Sequence, residues 1–378
     1  MKILLIGGTG VISYDVALFA VRKGIEVVIL NRGKRHHRMP KGASLIVADI
    51  CNCKEVLAKT EKMFFDVVVD FLSYTPEDLE RTLTLFAKKC NQFIFISSAT
   101  VYGEKTSETA ITEKTLVSNP IWDYAQKKIM CEQLLQKKCK ELNLNYTIVR
   151  PYVTYGDTRI PFAVIAKENH WSLISRIIRG KPIIMWDDGN AICTLTHSSD
   201  FAKGLVGLFG NKMALNTAFH ITSDETFTWN EALSIISETI GMKPVVVNIP
   251  SIDIENEIPA MSHELLGDKA TNMVFDNTKI KTVVPDFKCT ISFREGIKQT
   301  IAYYQKNPHM MIVDYEWDAK IDRLIYRHYC KYSHDKLKNL KLSNIASQDQ
   351  TLKEKLLYYS ERYIACSFLK RILLKVRN

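Results

Sequence analysis

A tyrosine and a lysine four residues apart are the first residues in this chain that could do chemistry. Tyr124 and Lys128 lie in the stretch WDYAQKKIMCEQLL, and on a helix their spacing puts both side chains on one face. The ordinary pKa of tyrosine is about 10, so a tyrosine base needs a neighbouring ammonium to lower that pKa. The pair therefore predicts general acid–base chemistry, although a plain surface pair on a helix has the same spacing.

An apolar run that ends abruptly in hydroxyls is the second candidate. The stretch FIFISSATVYG at 93–103 reads as a buried strand that opens onto Ser97 and Ser98. Either the strand runs into an ordinary turn, where serine is common, or its tip aims a hydroxyl at a substrate. If a parallel sheet brings this tip beside the helix of Tyr124, Ser98 can hydrogen-bond a substrate oxygen. We therefore predict Ser98, Tyr124 and Lys128 as catalytic residues.

A glycine-rich turn near the start of the chain is the third candidate. The stretch GGTGVIS has the spacing Gly7-x-x-Gly10-x-x-Ser13, after the apolar run KILLI and before a helical pattern. Backbone N–H groups of such a turn, with the N-terminus of the next helix, can bind the diphosphate of a dinucleotide. A mere tight turn is the competing interpretation. The predicted cofactor contacts from this turn are Gly7, Thr9, Gly10, Val11 and Ile12.

Basic residues follow the second apolar run, EVVIL. An acidic residue there would bind the ribose 2′-hydroxyl of NAD, but this chain has Asn31, Arg32 and Arg35. Because a guanidinium suits the 2′-phosphate of NADP, we predict NAD or NADP with NADP favoured, against the alternative of a solvated basic loop. Asp49, with Ile50 beside it, stands where an adenine contact is expected.

The elements that must position these residues alternate between apolar runs and helical patterns. Continuous β-branched runs between helices predict an α/β fold with a parallel sheet covered on both faces. The predicted strands of the first half are 2–6, 26–30, 44–48, 66–72, 93–97 and 146–150. The predicted helices between them are 11–23, 53–63, 76–90 and 122–142.

The second half of the chain is more mixed. It predicts helices near 171–180, 199–210, 229–241 and 292–306, with short strands at 182–186 and 245–249. We therefore divide the chain into a dinucleotide-binding domain, a smaller mixed α/β substrate domain and a helical basic extension. These are residues 1–168, 169–308 and 309–378, with segments near 183–223 left open to return to the first domain.

Five motifs taken together resemble a known family. GGTGVIS, DVVVDFL, SSATVYG, YAQKK and RPYVTYG are similar to the extended short-chain dehydrogenase/reductases, and within them to the NAD-dependent epimerase/dehydratase group. The resemblance implies a Rossmann domain with a doubly wound parallel sheet, a substrate domain, and a catalytic set of Ser98, Tyr124 and Lys128. It also implies the remaining cofactor contacts, namely Phe71, Leu72, Ser97, Tyr124, Lys128, Pro151 and Val153.

The resemblance implies a reaction as well. Sugar-nucleotide 4,6-dehydratases of this family carry an acidic pair after the hydroxyl residue, where this chain has Ala99 and Thr100, and SATVYG looks like UDP-galactose 4-epimerases. This implies a nicotinamide-dependent epimerase of a nucleotide-activated sugar, with Tyr124 as acid and base. Lys128 would lower the tyrosine pKa and bind ribose, and Ser98 would contact the substrate hydroxyl. The alternatives are an NADP(H)-exchanging reductase and a non-catalytic, cofactor-binding protein associated with RNA or a membrane.

Some positions depart from the pattern of a nucleotide-sugar epimerase. Relatives often carry an arginine for the substrate diphosphate, and counting back from His197 that place is Cys193. The fourth strand tip reads DFLSY, so we expect Phe71 and Tyr74 to reshape the nicotinamide side of the pocket. Other roles are predicted for His197 and Asp200 as helix caps, Trp186 and Trp229 as core, and Tyr102 and Tyr155 as pocket walls.

Composition indicates an ordinary globular protein, with 46% hydrophobic and 24% charged residues. The four apolar residues before the glycine turn are too few for a signal peptide, and no apolar run reaches the length of a spanning helix. Nine scattered cysteines, with one C-x-C pair, predict reduced thiols and no metal site. We therefore expect a cytoplasmic protein.

The positive charge lies in the last part of the chain. Residues 320–378 hold 14 Lys or Arg and 5 Asp or Glu, which gives +9 of a net charge of +10. The end, YIACSFLKRILLKVRN, predicts a basic amphipathic helix that fits an anionic membrane surface, the chain's own domain or a second subunit. Nucleic-acid binding is not expected, because the main body has almost no net charge. A homodimer is an expectation that the family resemblance implies.

Overall fold

Twelve strands are formed in the residues that the computed structural model describes, which are 1–35, 38–103, 110–261, 263–332 and 351–363. The eight strands predicted from the sequence are all formed, with ends that differ by at most three residues. The strands are β1 (Lys2–Ile6), β2 (Glu26–Asn31), β3 (Ser44–Val47), β4 (Phe65–Asp70), β5 (Cys90–Ile96), β6 (Asn145–Pro151), β7 (Val153–Tyr155), β8 (Pro182–Trp186), β9 (Ile192–His197), β10 (Thr217–Ile221), β11 (Thr226–Thr228) and β12 (Val245–Ile249).

The helices predicted from apolar periodicity are also formed. Their ends differ from the predicted ones by at most four residues, the largest difference being a last turn that is 3₁₀ after Phe86. The helices are α1 (Val11–Arg22), α2 (Cys53–Thr60), α3 (Pro76–Phe86), α4 (Asp123–Leu142), α5 (Trp171–Ile178), α6 (Ser198–Gly207), α7 (Trp229–Thr239), α8 (Ser251–Glu257), α9 (Thr278–Val283), α10 (Phe293–Lys306), α11 (Tyr315–Tyr332) and α12 (Leu352–Tyr363).

Seven strands form one parallel sheet in the order β10-β6-β5-β4-β1-β2-β3. From β1 the chain builds outward through β2 and β3, then crosses to β4 on the other side of β1, as in a Rossmann fold. Apolar side chains of α1 and α6 pack on one face of the sheet, and those of α2, α3 and α4 pack on the other. The predicted α/β fold with a sheet covered on both faces is therefore confirmed.

The chain divides into two compact units, and each unit combines three separate stretches. The first unit is Met1–Gly156, Ile192–Thr226 and Thr271–Gly296; the second is Asp157–Ala191, Phe227–Ala270 and Ile297–Asn378. The seven-stranded sheet and the β7–β9 pair belong to the first unit, and the β8–β12 pair belongs to the second. The division predicted from the sequence left segments near 183–223 open to return to the first domain, and Ile192–Thr226 lies in the first unit.

Helices α11 and α12 of the C-terminal extension pack into the second unit through buried charges. Asp318 and Asp322 of α11 are fully buried, and Lys181 donates to both carboxylates, at 2.7 Å and 2.5 Å. Arg176 of α5 also donates to both, and Tyr358 of α12 donates to Asp322. The described part of the extension is therefore helical, as predicted, and is part of the core of this unit.

The apolar stripe predicted for the last helix lies outside the described residues, so its membrane and docking interpretations stay predictions. No helix in the described ranges is long and apolar enough to cross a membrane. The stripe consists of Ile364, Ala365, Phe368, Leu369, Ile372, Leu373 and Val376.

Candidate active site

The ammonium of Lys128 lies at the carboxyl ends of two neighbouring strands. It donates to the carbonyl oxygen of Ile96, the last residue of β5, at 2.9 Å, and to that of Ser73, after β4, at 2.8 Å. The side chain is 2% exposed, and this burial lowers the pKa of Lys128 to about 8. Lys128 is therefore still mostly charged at neutral pH, with its charge directed at one edge of the sheet.

Tyr124 stands one helical turn before Lys128 at the start of α4. The Lys128 ammonium lies 6.0 Å from the centre of the Tyr124 ring and 4.9 Å from that of Tyr74. The half-buried Tyr124 ring also packs on Trp122, with ring centres 5.0 Å apart. A cation at this distance favours the phenolate form of tyrosine.

Ser98 begins the turn that follows β5, and Ala99–Val101 form one turn of 3₁₀ helix behind it. The Ser98 hydroxyl oxygen accepts hydrogen bonds from the backbone N–H of Thr100 at 3.3 Å and from its hydroxyl at 3.0 Å. All of these residues are buried. The two positions after Ser98 hold a methyl group and a hydroxyl, so neither offers a carboxylate.

Asn119, which sequence reasoning missed, joins the Ser98 turn to α4. Its side-chain amide donates to the carbonyl of Thr100 at 2.8 Å, and its carbonyl oxygen accepts from the backbone N–H of Trp122 at 3.1 Å. A Cβ at Gly103 would lie 2.5 Å from the Asn119 side chain, so the contact needs glycine there. Asn-Pro before a helix is a visible signal for a turn, but its partner across the turn is not.

A buried carboxylate shapes the turn after β4, which receives the Lys128 ammonium. One oxygen of Asp70 accepts from the backbone N–H groups of Leu72 at 2.8 Å and Ser73 at 3.0 Å. The other accepts from the hydroxyls of Ser73 at 2.5 Å and Thr82 at 2.7 Å. Asp70 therefore fixes Ser73, whose carbonyl oxygen holds Lys128.

The glycine turn is shaped for close approach of a ligand. Gly7 and Gly8 have φ of 117° and 78°, and a Cβ on Gly8 would lie 2.6 Å from Ile29. The hydroxyl of Ser13 accepts from the backbone N–H of Gly10 at 2.9 Å, which closes the first turn of α1. This first turn has no acidic residue, so the turn and the helix N-terminus fit a diphosphate.

The segment after β2 is tied to the glycine turn by Asn31. Its side-chain amide donates to the carbonyl of Gly7 at 3.0 Å, and its carbonyl oxygen accepts from the N–H of Gly33 at 2.7 Å. Arg32 is exposed at this point, as is Asp49 after β3. The backbone N–H of Cys51 donates to the Asp49 carboxylate, and this hydrogen bond lowers the pKa of Asp49.

The predicted cofactor residues outside α4 all lie at the carboxyl ends of the parallel strands. At this end of the sheet β1 and β4 are neighbours, and the chain continues from β1 to β2 on one side and from β4 to β5 on the other. Crevices at such a point bind dinucleotides in Rossmann folds, so these residues lie where a dinucleotide would be expected. They lie at or just beyond the carboxyl ends of β1 (Gly7, Thr9, Gly10, Val11, Ile12), β2 (Asn31, Arg32, Arg35), β3 (Asp49, Ile50), β4 (Phe71, Leu72), β5 (Ser97) and β6 (Pro151, Val153).

Two of the predicted structural roles agree with the contacts. His197 accepts from the backbone N–H of Ser199 at 3.3 Å and caps α6. Trp186 and Trp229 are core residues at 1% exposure, and both indole N–H groups donate to the carbonyl of Lys269, at 3.1 Å and 3.0 Å. The remaining helix-cap candidate, Asp200, accepts from the backbone of Thr290 and Ile291.

The two tyrosines expected as pocket walls are core residues instead. Tyr102 and Tyr155 have no exposed surface. The Tyr102 hydroxyl accepts from Arg150 at 2.6 Å, and the Tyr155 ring packs on His197 and Phe293 at 5.3 Å and 5.4 Å between ring centres. The expectation from sequence was wrong because tyrosines beside a strand tip fit either place, and their partners are distant in sequence.

A sequence profile of the NAD dependent epimerase/dehydratase family matches residues 3–221, which is more than half of the chain. The chain belongs to this family. The matched stretch contains the glycine turn and the three predicted catalytic residues.

Relatives with curated names differ in what those names say. The chloroplast stem-loop binding protein of 41 kDa b of Arabidopsis thaliana is 28% identical over 266 residues, 65% of either chain. The uncharacterized UDP-glucose epimerase YtcB of Bacillus subtilis is 24% identical over 56% of this chain and 60% of its own. This chain therefore spans less than two thirds of either relative. The human dTDP-D-glucose 4,6-dehydratase is 22% identical over 82% of this chain and 91% of its own.

Solved structures share the fold. Epimerase Mth375 of Methanothermobacter thermautotrophicus superposes with a TM-score of 0.68 at 17% identity, over 82% of this chain and 94% of that chain. The UDP-glucuronic acid 4-epimerase of Bacillus cereus in complex with NAD gives 0.64 at 20% identity, over 81% and 99%. At these identities the likeness concerns the fold alone.

Proposed function

We propose that this protein is a nicotinamide-dependent epimerase of a nucleotide-activated sugar that works through a transient keto intermediate. One observation carries the proposal. The Lys128 ammonium is held by carbonyl oxygens at two strand ends and lies 6.0 Å from the Tyr124 ring, at the edge of the sheet that carries the glycine turn. Burying a charge lowers the stability of a fold, and side chains that are nevertheless buried in charged form are found most often at functional sites.

The roles of the three residues follow from their chemistry. The Tyr124 phenolate takes the proton of a sugar hydroxyl, and the adjacent Lys128 ammonium stabilises that phenolate. Ser98 donates a hydrogen bond to the sugar oxygen as it becomes a carbonyl. A bound nicotinamide dinucleotide supplies the acceptor and later the donor of hydride. Tyr124 returns its proton when the keto sugar has presented its other face.

The residues after Ser98 favour an epimerase over a dehydratase. Elimination of water needs an acid and a base beside the leaving hydroxyl, and Ala99 and Thr100 carry no carboxyl group. The relatives are named as epimerases and as a dehydratase, so their names do not distinguish the two reactions. The missing carboxyl groups after Ser98 are what favours the epimerase.

The test is interconversion of sugar isomers in a panel of UDP-, GDP-, CDP- and dTDP-sugars, with and without added NAD or NADP. We expect turnover with cofactor retained by the purified protein; stoichiometric consumption of added NADPH would instead identify the reductase. Affinities for NAD and NADP measured in the same samples decide the preference that the exposed Arg32 suggests.

Tyr124→Phe is the discriminating variant. Loss of the acid and base should lower kcat at least about 100-fold and leave dinucleotide affinity within about twofold. Tyr74→Phe is the matched control. The Tyr74 ring lies even closer to the Lys128 ammonium, at 4.9 Å, but the proposed mechanism assigns no proton transfer to the Tyr74 hydroxyl. Equal activity of Tyr124→Phe and the wild type would remove Tyr124 from the mechanism.

A second candidate function, binding of RNA, is favoured by two exposed aromatic side chains of α12. Tyr359 and Tyr363 are 47% and 68% exposed, and their rings stack at 6.2 Å. Exposed aromatic rings are typical of surfaces that stack bases, and one relative is named for stem-loop binding. Fluorescence anisotropy with a labelled RNA stem-loop, comparing wild type with the Tyr359→Ala/Tyr363→Ala double variant, tests this candidate.

A further inference from the structure

A buried ion pair lies behind the turn that carries Ser98. Nε of Arg150 donates to one oxygen of Glu132 at 2.9 Å, and Nη2 donates to the other at 2.6 Å. Both side chains are 5% exposed. Glu132 belongs to α4, one helical turn beyond Lys128, and Arg150 belongs to β6. The pair therefore joins the helix of the predicted acid–base residues to strand β6 of the large sheet.

Two further hydrogen bonds connect this ion pair to the residues on either side of the Ser98 turn. The hydroxyl of Ser97 donates to Glu132 at 2.6 Å. Nη1 of Arg150 donates to the hydroxyl oxygen of Tyr102 at 2.6 Å. Ser97 precedes the turn and Tyr102 follows its 3₁₀ segment, so one ion pair holds both ends of the turn.

We propose that Glu132 and Arg150 are positioning residues that fix Ser98 relative to Tyr124 and Lys128. The geometry points to this role because the guanidinium is a rigid fork, and here its three nitrogens are directed at α4 and at the end of the turn. A buried ion pair adds little stability over apolar packing, whereas it fixes direction well. For the catalytic part of its readout, this inference rests on the proposed function.

Ser97→Ala and Tyr102→Phe test the proposal without breaking the ion pair. Removing Glu132 or Arg150 would leave a buried charge alone and disrupt folding, so these two variants each remove one bond to the turn. We expect each to lower kcat about tenfold and the double variant more, with KM for the sugar nucleotide within about twofold. Hydrogen–deuterium exchange of residues 97–103 in the same proteins should become faster.

Thr147→Val is the matched control, at the other end of the same pair of strands. The Thr147 hydroxyl accepts from Gln92 of β5 at 2.8 Å and donates to the carbonyl of Ala214 at 2.7 Å, and the side chain is fully buried. This variant also loses buried hydrogen bonds, so its stability should fall. Its kcat and the exchange of 97–103 should stay at wild-type values.

The outcomes separate this inference from the proposed function. If the wild type interconverts no sugar nucleotide, the proposed function fails, and exchange alone then decides: faster exchange of 97–103 confined to the Ser97 and Tyr102 variants supports the positioning role. Unchanged exchange in the double variant overturns it. With an active wild type, a double variant within twofold of wild-type kcat, or an equal loss in Thr147→Val, also overturns it.

Discussion

Lys128 is an ionisable side chain in a place where charge is costly. Its pKa is lowered to about 8 by burial, and carbonyl oxygens of Ser73 and Ile96 accept two of its hydrogens. A methionine would fill the same volume without that cost. We conclude that the lysine lowers the stability of the native state at neutral pH, as active-site residues with perturbed pKa values often do.

This cost predicts a pH dependence of stability. The unfolded chain, with the ordinary lysine pKa of 10.5, binds more protons than the folded chain between about pH 8 and 10.5, so stability rises with pH in that window. Between pH 7 and 11, the unfolding free energy of the wild type should gain about 3 kcal/mol relative to Lys128→Met. Urea unfolding at the two pH values measures the change.

The neighbouring lysine supplies the control for this experiment. Lys127 is solvent-facing and pairs with Asp123 at 2.7 Å, and this pair raises the pKa of Lys127. Between pH 7 and 11, the unfolding free energy of the wild type should therefore not rise relative to that of Lys127→Met. A difference between wild type and Lys128→Met that stays flat with pH would contradict the account of Lys128.

At the scale of elements, the glycine turn combines two constraints that can be measured separately. Gly8 has φ of 78°, and a Cβ there would also lie 2.6 Å from Ile29 of β2. Gly24, after α1, has φ of 74° with no atom within 4 Å of a Cβ. The two positions share the backbone strain that a side chain would meet, and the close approach occurs at Gly8.

We predict that Gly24→Ala costs about 1–2 kcal/mol of stability, which is the price of a left-handed alanine. Gly8→Ala should cost about 1–3 kcal/mol more, because the added methyl group displaces Ile29. Only Gly8→Ala should also weaken dinucleotide binding. Thermal unfolding and dinucleotide titration of both variants are the measurements, and equal losses in the two proteins would rule out the steric part.

Elements with a clear local apolar pattern could be predicted from sequence, whereas strand β9, in which apolar and buried polar residues alternate, could not. The runs KILLI and DVVVDFL each contain a continuous apolar stretch, at 3–6 and 67–69, as central parallel strands do. Strand β9, ICTLTH, reads as polar although it is mostly buried. Its Thr194 donates to the carbonyl of Met273 at 2.7 Å, and its Thr196 accepts from the N–H of Ser223 at 2.9 Å. Such partners are distant in sequence and leave no local signal.

The candidate site shows the same limit. Ser98, Tyr124 and Lys128 stand out because their types and spacing suggest chemistry before any fold is known. Asn119 and Asp70, which hold the turns around them, look like ordinary turn residues in the sequence. Sequence reasoning found the residues that are proposed to react and missed those that support them, because support depends on contacts made across the fold.

At the scale of the whole molecule, the C-terminal extension provides charges that the second unit needs. Arg176 and Lys181 are buried, and their carboxylate partners Asp318 and Asp322 come from the extension. The cations hold the pKa of Asp318 well below its ordinary value, against the effect of burial. Asp318 therefore stabilises the fold at neutral pH, and this contribution is lost as the solution becomes acidic.

We predict that Asp318→Ala lowers the free energy of unfolding by about 3–5 kcal/mol, because it leaves buried cations without a partner. Glu316→Ala on the same helix is the control, since its pair with Lys320 at 3.3 Å is half-exposed and should contribute less than about 1 kcal/mol. Denaturant unfolding of both variants at pH 7 measures the difference. Equal effects would mean that the buried network is not what anchors the extension.

The interleaving of the two units has a consequence during synthesis. Strand β10 completes the edge of the large sheet, and Phe287 and Ile280 complete its apolar core from the stretch Thr271–Gly296. A ribosome that has made all of β1 to β6 has made α1 to α4 but not α6 or the stretch with Ile280 and Phe287, which complete the core on the α1 face of the sheet. That face of the nascent sheet therefore stays incompletely covered until Ile280 and Phe287 have been translated, and exposed apolar surface of this kind favours aggregation during synthesis.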